Sequence, residues 1–229
     1  MEDSAPNRPR AVLFDAYGTL FDVYSVGTLA ERLFPGHGER LSLLWRDKQI
    51  EYSRLRSMSG RYRPFWDVTR DALRFAVLRL GLAADAKRED QLMEQYRQLD
   101  AFPENRAVLV ALKKRGVRAG VLSNGDPGML QQSVAHAGFA PWLDPVLSVQ
   151  ATARFKTDPA TYALGPAALG LAAKDILFVS SNGWDAIGAT WYGYTTLWVN
   201  RAGLPLEQLG TEPTRVGNSL CDVLEFFPS

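Results

Sequence analysis

Five short apolar runs constrain this chain more than anything else in it. They are 11–14, 118–122, 146–148, 176–179 and 195–199, each bounded by Gly, Asn, Asp or Ser and separated by helical stretches. Runs this short and this uniformly apolar read as strands buried on both faces. Strands alternating with helices imply an α/β fold, with a Rossmann-like parallel sheet as its core. Helix punctuation agrees. Asp126-Pro127 and Asp158-Pro159 each offer an N-cap followed by proline at the first helical position, and Gly116 closes a helix.

The interval 22–101 reads differently and holds no comparable run. Leu41, Leu44, Trp45, Lys48, Tyr52 and Leu55 recur at helical spacing within 37–58. Phe65, Val68, Ala72, Phe75, Ala76 and Leu80 do the same within 65–80, with Gly81 as a stop, and a third helix is expected over 89–99. The expectation is an inserted helical cap subdomain, residues 22–101, interrupting a core made of 1–21 and 102–229. An insert after the first strand lies over that strand's C-terminal end, the edge at which open parallel sheets bind ligands.

Charge and cysteine narrow the function classes. Twenty-six basic and 25 acidic residues leave a formal charge of +1. No basic face or acidic tail follows, so neither nucleic acid nor an anionic membrane is an expected partner. No apolar run approaches the roughly 20 residues of a membrane span. The polar start MEDSAPNRPR lacks the hydrophobic region of a signal peptide and reads as a disordered lead. A cytoplasmic location is expected. The lone Cys221, in the apolar stretch LCDVL, suits a reducing compartment and is expected to be a buried structural thiol.

Against this background, FDAYGTLFD at 14–22 is odd. A buried strand ends in a carboxylate, and an unpaired buried Asp costs several kcal/mol or gives up its charge. Three more polar stations follow later runs: Ser123-Asn124-Gly125, Lys156 in ARFKTDP, and Ser180-Ser181-Asn182-Gly183-Trp184-Asp185. Taken singly, these are ordinary turn or solvated residues. In a parallel sheet all four converge on one edge. Neither His37, in a Gly-rich corner, nor His136, ahead of Gly138, sits in a catalytic pattern, and no Cys/His cluster suggests zinc.

The constellation resembles the haloacid dehalogenase-like hydrolases from about residue 9 to 227. Within them FDAYGTLFDVYSV, LWRDKQIEYSRLRS, VLSNG and FVSSNGWDAIGA resemble the L-2-haloacid dehalogenases. The resemblance implies hydrolysis of L-2-haloalkanoic acids to D-2-hydroxy acids and halide, with inversion, and without metal or cofactor. Asp15 would be the nucleophile. Lys156 would keep it ionised, worth roughly 4 kcal/mol at about 4 Å and an effective dielectric near 20, before desolvation. Arg46 would meet the halide or orient the substrate beside Asn124. Ser123 and the amides near Tyr17 would hold the substrate carboxylate, Gly18 letting backbone N–H groups approach it. Ser180, Asn182 and Asp185 would position Lys156 and the hydrolytic water, with Asp185 the candidate base. Tyr162 would lie near Lys156 on the substrate-binding side, and Tyr17, Ile50, Phe65 and Trp184 would wall the alkyl group.

Phosphatases of this superfamily carry a second Asp two residues after the nucleophile, to protonate an alcohol. Here that residue is Tyr17, and a departing halide needs no proton. A phosphatase-like hydrolase, revived by Mg²⁺-dependent phosphate release, and a non-catalytic binding protein are the competing readings. Two residues depart from the family pattern. Asp47 beside Arg46 could repel an anionic substrate or weaken the arginine's grip, and Thr157 after Lys156 is compatible with the turn. A homodimer is possible, given the aromatic-rich insert.

Overall fold

The computed structural model describes residues 8–83 and 85–228; the lead expected at the N-terminus lies mostly outside them. The core is one parallel sheet: β1 (Ala11–Phe14), β2 (Arg118–Ser123), β3 (Val146–Ser148), β4 (Ile176–Ser180), β5 (Thr195–Val199) and β6 (Arg215–Gly217). The spatial order is β3-β2-β1-β4-β5-β6. Every residue of β1 and β4 is buried, as their unbroken apolar runs require. Phe14 stands opposite Val121 on one side and Val179 on the other. The sheet is therefore extended in both directions from β1, and the crevice beyond its C-terminal end is a topological switch point.

The five expected strands are all present. The sixth, β6, went unread because it is three residues long, polar and exposed at the sheet edge. Between β1 and α5 (Asn105–Lys114) come α1 (Gly27–Leu33), α2 (Gly38–Met58), α3 (Phe65–Arg79) and α4 (Ala86–Tyr96). The chain enters and leaves this insert at adjacent points. Phe21 bridges Ala101 antiparallel, and the Asp22 amide donates to the Asp100 carbonyl at 2.8 Å. The remaining helices are α6 (Pro127–His136), α7 (Pro159–Tyr162), α8 (Leu164–Leu169) and α9 (Gly183–Tyr192).

Helix α2 presents a different face from the one its apolar residues suggest. Leu55 is 52% exposed, whereas Ser42, Arg46, Gln49 and Ser53 are buried. Arg46 and Ser53 face the crevice at the sheet edge, with Gln49 bonded to Arg46, while Ser42 faces α1.

Asp126 also departs from expectation. It precedes α6, but its side chain does not cap that helix. Its two carboxylate oxygens accept instead from the backbone N–H groups of Phe65 and Trp66, at 2.8 and 2.7 Å. Helix α3 begins after Pro64, which has no side-chain acceptor, so the core supplies the cap from 60 residues away. Asp158 does cap its own helix, accepting from the Ala160 amide.

Cys221 is exposed, not buried. It lies in a C-terminal 3₁₀ helix, Leu220–Phe226. A three-residue period turns Leu220 and Val223 inward and leaves Cys221 outside. Among the described residues no helix is long and apolar enough to cross a membrane.

Candidate active site

Asp15 is the first residue beyond β1 and is 5% exposed. Its amide continues the sheet by donating to the Val179 carbonyl at 2.8 Å, which fixes the side chain at the crevice. Lys156 Nζ donates to Asp15 Oδ1 at 3.0 Å and to Asp185 Oδ2 at 2.9 Å. The ammonium occupies the space between the two carboxylates. The other oxygen, Asp15 Oδ2, accepts from Asn182 Nδ2 at 2.9 Å and Thr19 Oγ1 at 3.0 Å. Three donors, one of them a buried ammonium, thus converge on this one carboxylate.

Burial alone would depress the Lys156 ammonium, but Asp15 and Asp185 outweigh it and raise its pKa. Lysine is thus locked in its charged form. Burial pushes the Asp185 carboxyl up, and Lys156 offsets this only in part. The Asp185 Oδ1 oxygen accepts from the Tyr162 hydroxyl at 2.7 Å. Tyr162 was expected on the substrate-binding side. It lies behind Asp185, fully buried, where its hydroxyl donates to the carboxylate oxygen that Lys156 does not hold. Burial and then Asp185 hold its pKa well above the ordinary value. Gly188 makes this layer possible, since a Cβ there would stand 2.5 Å from the Tyr162 hydroxyl oxygen and 2.7 Å from Thr157 Cγ2.

The insert delivers Arg46 into the crevice from α2. One guanidinium nitrogen donates to the Tyr17 carbonyl and to Asn182 Oδ1, both at 3.1 Å, and the other to Gln49 Oε1 at 2.7 Å. Gln49 is fixed in turn by the Tyr96 hydroxyl at 3.0 Å and by Thr69 Oγ1 at 2.6 Å. Asp47 is exposed on the outer side of α2 and is not among these partners of Arg46.

Ser123 and Asn124 end β2 at the same edge. Ser123 Oγ accepts from the Gly125 amide at 3.2 Å, and Asn124 Oδ1 accepts from the Lys156 amide at 2.9 Å. Ser180 Oγ, at the end of β4, accepts from the Asn182 amide at 3.1 Å. The Gly18 amide does not approach a ligand. With φ at 95° it donates to Phe21 O at 2.7 Å and closes the turn. Around Asp15 and Arg46 the side chains of Tyr17, Ile50, Phe65 and Trp184 enclose a cavity of about 20 Å³, little more than one water-sized sphere.

Three contributors were not singled out from the sequence. Thr19, four residues after Asp15, joins the nucleophile loop to the next station, since its hydroxyl oxygen also accepts from the Ser181 amide at 2.8 Å. Its fixed spacing from Asp15 was the available signal. Gln49 was legible as the neighbour three positions after Arg46 on one helix face. Arg201, after β5, left no local signal. It donates to Ser181 Oγ at 2.6 Å, to the Gly18 and Thr19 carbonyls at 3.4 and 3.3 Å, and to Glu104 at 2.8 Å. Its guanidinium stacks on Phe102, 3.8 Å from the ring centre.

Comparison with known proteins gives concordant matches. A family model described as haloacid dehalogenase-like hydrolase matches residues 9–193. An (S)-2-haloacid dehalogenase of Pseudomonas sp. (strain YL) is 44% identical over 218 residues, 95% of this chain and 94% of that one. The crystal structure of the L-2-haloacid dehalogenase RSc1362 superposes with a TM-score of 0.94 at 55% identity, covering 96% of this chain and 99% of the other. The L-2-haloacid dehalogenase from Xanthobacter autotrophicus, solved with chloropropionic acid covalently bound, gives 0.89 at 38% identity, covering 95% and 97%.

Proposed function

Because this chain belongs to the haloacid dehalogenase-like hydrolases, we propose that it hydrolyses L-2-haloalkanoic acids to D-2-hydroxy acids through an ester on Asp15. The observation that carries the reading is the buried carboxylate held by Lys156, Asn182 and Thr19, with a tyrosine two residues on where a phosphatase would place its acid. The covalent chloropropionic acid in the Xanthobacter relative supports an intermediate of this kind.

The roles follow from the contacts. An Asp15 oxygen attacks C2 from the side opposite the halogen, the C–O bond forms as the C–halogen bond breaks, and halide leaves with the bonding electrons. Arg46 and Asn124 face the same cavity. A weakly hydrated guanidinium and an amide N–H suit a halide leaving in a dry site. Ser123 lines the cavity as a hydroxyl donor for the substrate carboxylate. Water then attacks the Asp15 carboxyl carbon and gives up a proton. The bond from that carbon to the substrate oxygen breaks, the leaving alkoxide takes the proton to become the hydroxyl, and the second water proton goes to solvent. C2 thus keeps the inverted configuration, and Asp15 is recovered as the carboxylate. Lys156 holds the negative charge that returns to Asp15. Asp185 anchors Lys156 and is the base to which the proton from water passes, and Ser180 fixes Asn182 beside the ester. No metal or cofactor takes part on this reading.

The chain divides, on this reading, into a core of 1–21 and 102–229 and a cap of 22–101. The adjacent crossings at Phe21 and Ala101 support that division. A homodimer is part of the proposal, supported by Leu43, Leu55, Met58 and Leu78, exposed on cap helices; light scattering tests it. A cytoplasmic location accords with the single cysteine.

The test is halide release from separate L- and D-2-chloropropionate with EDTA present, wild type against Asp15→Asn. Chloride from the L form alone, with a D-hydroxy product and none from the variant, is expected. Phosphate release from an ester only when Mg²⁺ is added would install the phosphatase reading instead. Identical behaviour of wild type and Asp15→Asn on every substrate would leave a binding protein.

A further inference from the structure

The cavity around Asp15 is small, and two of its wall residues are shared with a larger groove outside. Its apolar side is formed by Tyr17, Ile50, Phe65 and Trp184. The substrate's alkyl group belongs on this side, opposite Asp15 and Arg46. Tyr17 and Phe65 are 2% and 3% exposed. Behind them stand Tyr96 and Phe155, with ring centres 5.7 and 5.8 Å away. A longer chain has no room to grow there. Ile50 and Trp184 differ, because each also lines a second hollow of about 700 Å³. That groove runs along the outside of α2 and is lined further on by Leu55, Met58, Trp191 and Leu209. These side chains are 52%, 85%, 55% and 47% exposed and form an apolar strip, flanked by Asp47, Glu51 and Glu207, that begins where the cavity ends.

Arg54 stands at this partition. It is four residues after Ile50, hence on the same face of α2, and lines the groove. Its guanidinium lies 4.7 Å from the centre of a Trp184 ring. The contact joins the insert to the core. It holds the indole by cation–π attraction and adds a second layer outside it.

Resting on the dehalogenase reading, we infer that Arg54 sets the chain length of the accepted substrate. Stacked on Trp184, it closes the wall that the cavity shares with the groove, through which an alkyl chain would extend. With Arg54 in place the site takes two- and three-carbon haloacids. Without it the indole is free to turn, and a longer chain passes between Ile50 and Trp184 into the groove.

The experiment compares wild type, Arg54→Ala and Asp47→Asn. The Asp47 side chain lies in the same groove but is not part of the Arg54–Trp184 contact. Calorimetry measures binding of unreactive straight-chain carboxylates, acetate to octanoate. Halide release gives kcat/KM for L-2-chloropropionate and L-2-bromohexanoate. Wild type and Asp47→Asn are expected to lose affinity steeply beyond about three carbons. Arg54→Ala should move that limit outward by about two carbons and raise the bromohexanoate-to-chloropropionate ratio about tenfold, the scale of a methylene or two admitted to an apolar pocket. An unchanged limit in Arg54→Ala overturns the inference, as does an equal shift in Asp47→Asn. The binding series requires no dehalogenation. Absent halide release with a shifted limit would therefore defeat the reaction proposed above and leave the role of Arg54 standing.

Discussion

At the scale of the residue, the site is built to keep charge in a dry place. Lys156 is 1% exposed, and its ammonium is shared by two carboxylates. Lys156→Met would leave both without a counter-ion. Breaking a buried ionic group by removing one partner costs about 3–5 kcal/mol, so the variant is expected to melt well below wild type and release no halide. Thr19→Val keeps the shape and removes one donor from Asp15 and one acceptor from the Ser181 amide. A fall of about tenfold in kcat is expected, from about 1–1.5 kcal/mol per lost hydrogen bond, with chloropropionate KM little changed; steady-state kinetics decides. The polar stations were legible because each closes an apolar run: Asp15, Ser123, Asn124, Ser180 and Asn182. Thr19 was legible only through its spacing from Asp15, and Arg201 not at all: its hydrogen bonds join loops distant in sequence, and nothing in its neighbours marks it.

At the scale of the element, the helices show where periodicity informs and where it misleads. The extent of α2 was readable within a residue from its spacing. Its inward face was not, because the crevice demands Arg46, Gln49 and Ser53, and a polar stripe facing a polar site is indistinguishable in sequence from one facing solvent. The same holds for α3, whose N-terminal cap comes from Asp126. Asp126→Ala removes the acceptor for two backbone amides at once. A loss of about 1–2 kcal/mol is expected, together with faster hydrogen exchange at the Phe65 and Trp66 amides. Thermal melts and residue-resolved exchange check it. Unchanged exchange at these two amides would mean that α3 is held by its packing on α2 alone.

At the scale of the whole molecule, the sheet was the most legible feature, since its buried strands had to be apolar and short. The contacts between insert and core were the least legible. The cation at Arg201 ties Glu104, just after the crossing, to the nucleophile loop. Burial would raise the Glu104 carboxyl, but the hydrogen bond and charge of Arg201, together with backbone amides, outweigh it and hold the pKa below its ordinary 4.5. A carboxyl depressed in the folded state adds stability above its unfolded pKa and loses it as pH falls through the folded value. Wild type should therefore lose more stability than Glu104→Gln as pH drops below 4.5, read from urea midpoints at each pH. Given a cavity of about 20 Å³, the insert is expected to swing before a haloacid enters. Exchange across 22–100 that ignores a bound unreactive carboxylate would rule that motion out. The paired crossings at Phe21–Ala101 and Asp22–Asp100 carry one more consequence. Eighty residues depart from the sheet and return to it through a single doorway, so the strands keep their register whatever lies between. The reacting carboxylate thereby sits in one part of the molecule, while admission, together with the Arg46 guanidinium that reaches the crevice from α2, sits in the other: exchanging the insert would change both what is let in and the cation beside the carboxylate, and would leave the carboxylate where it is.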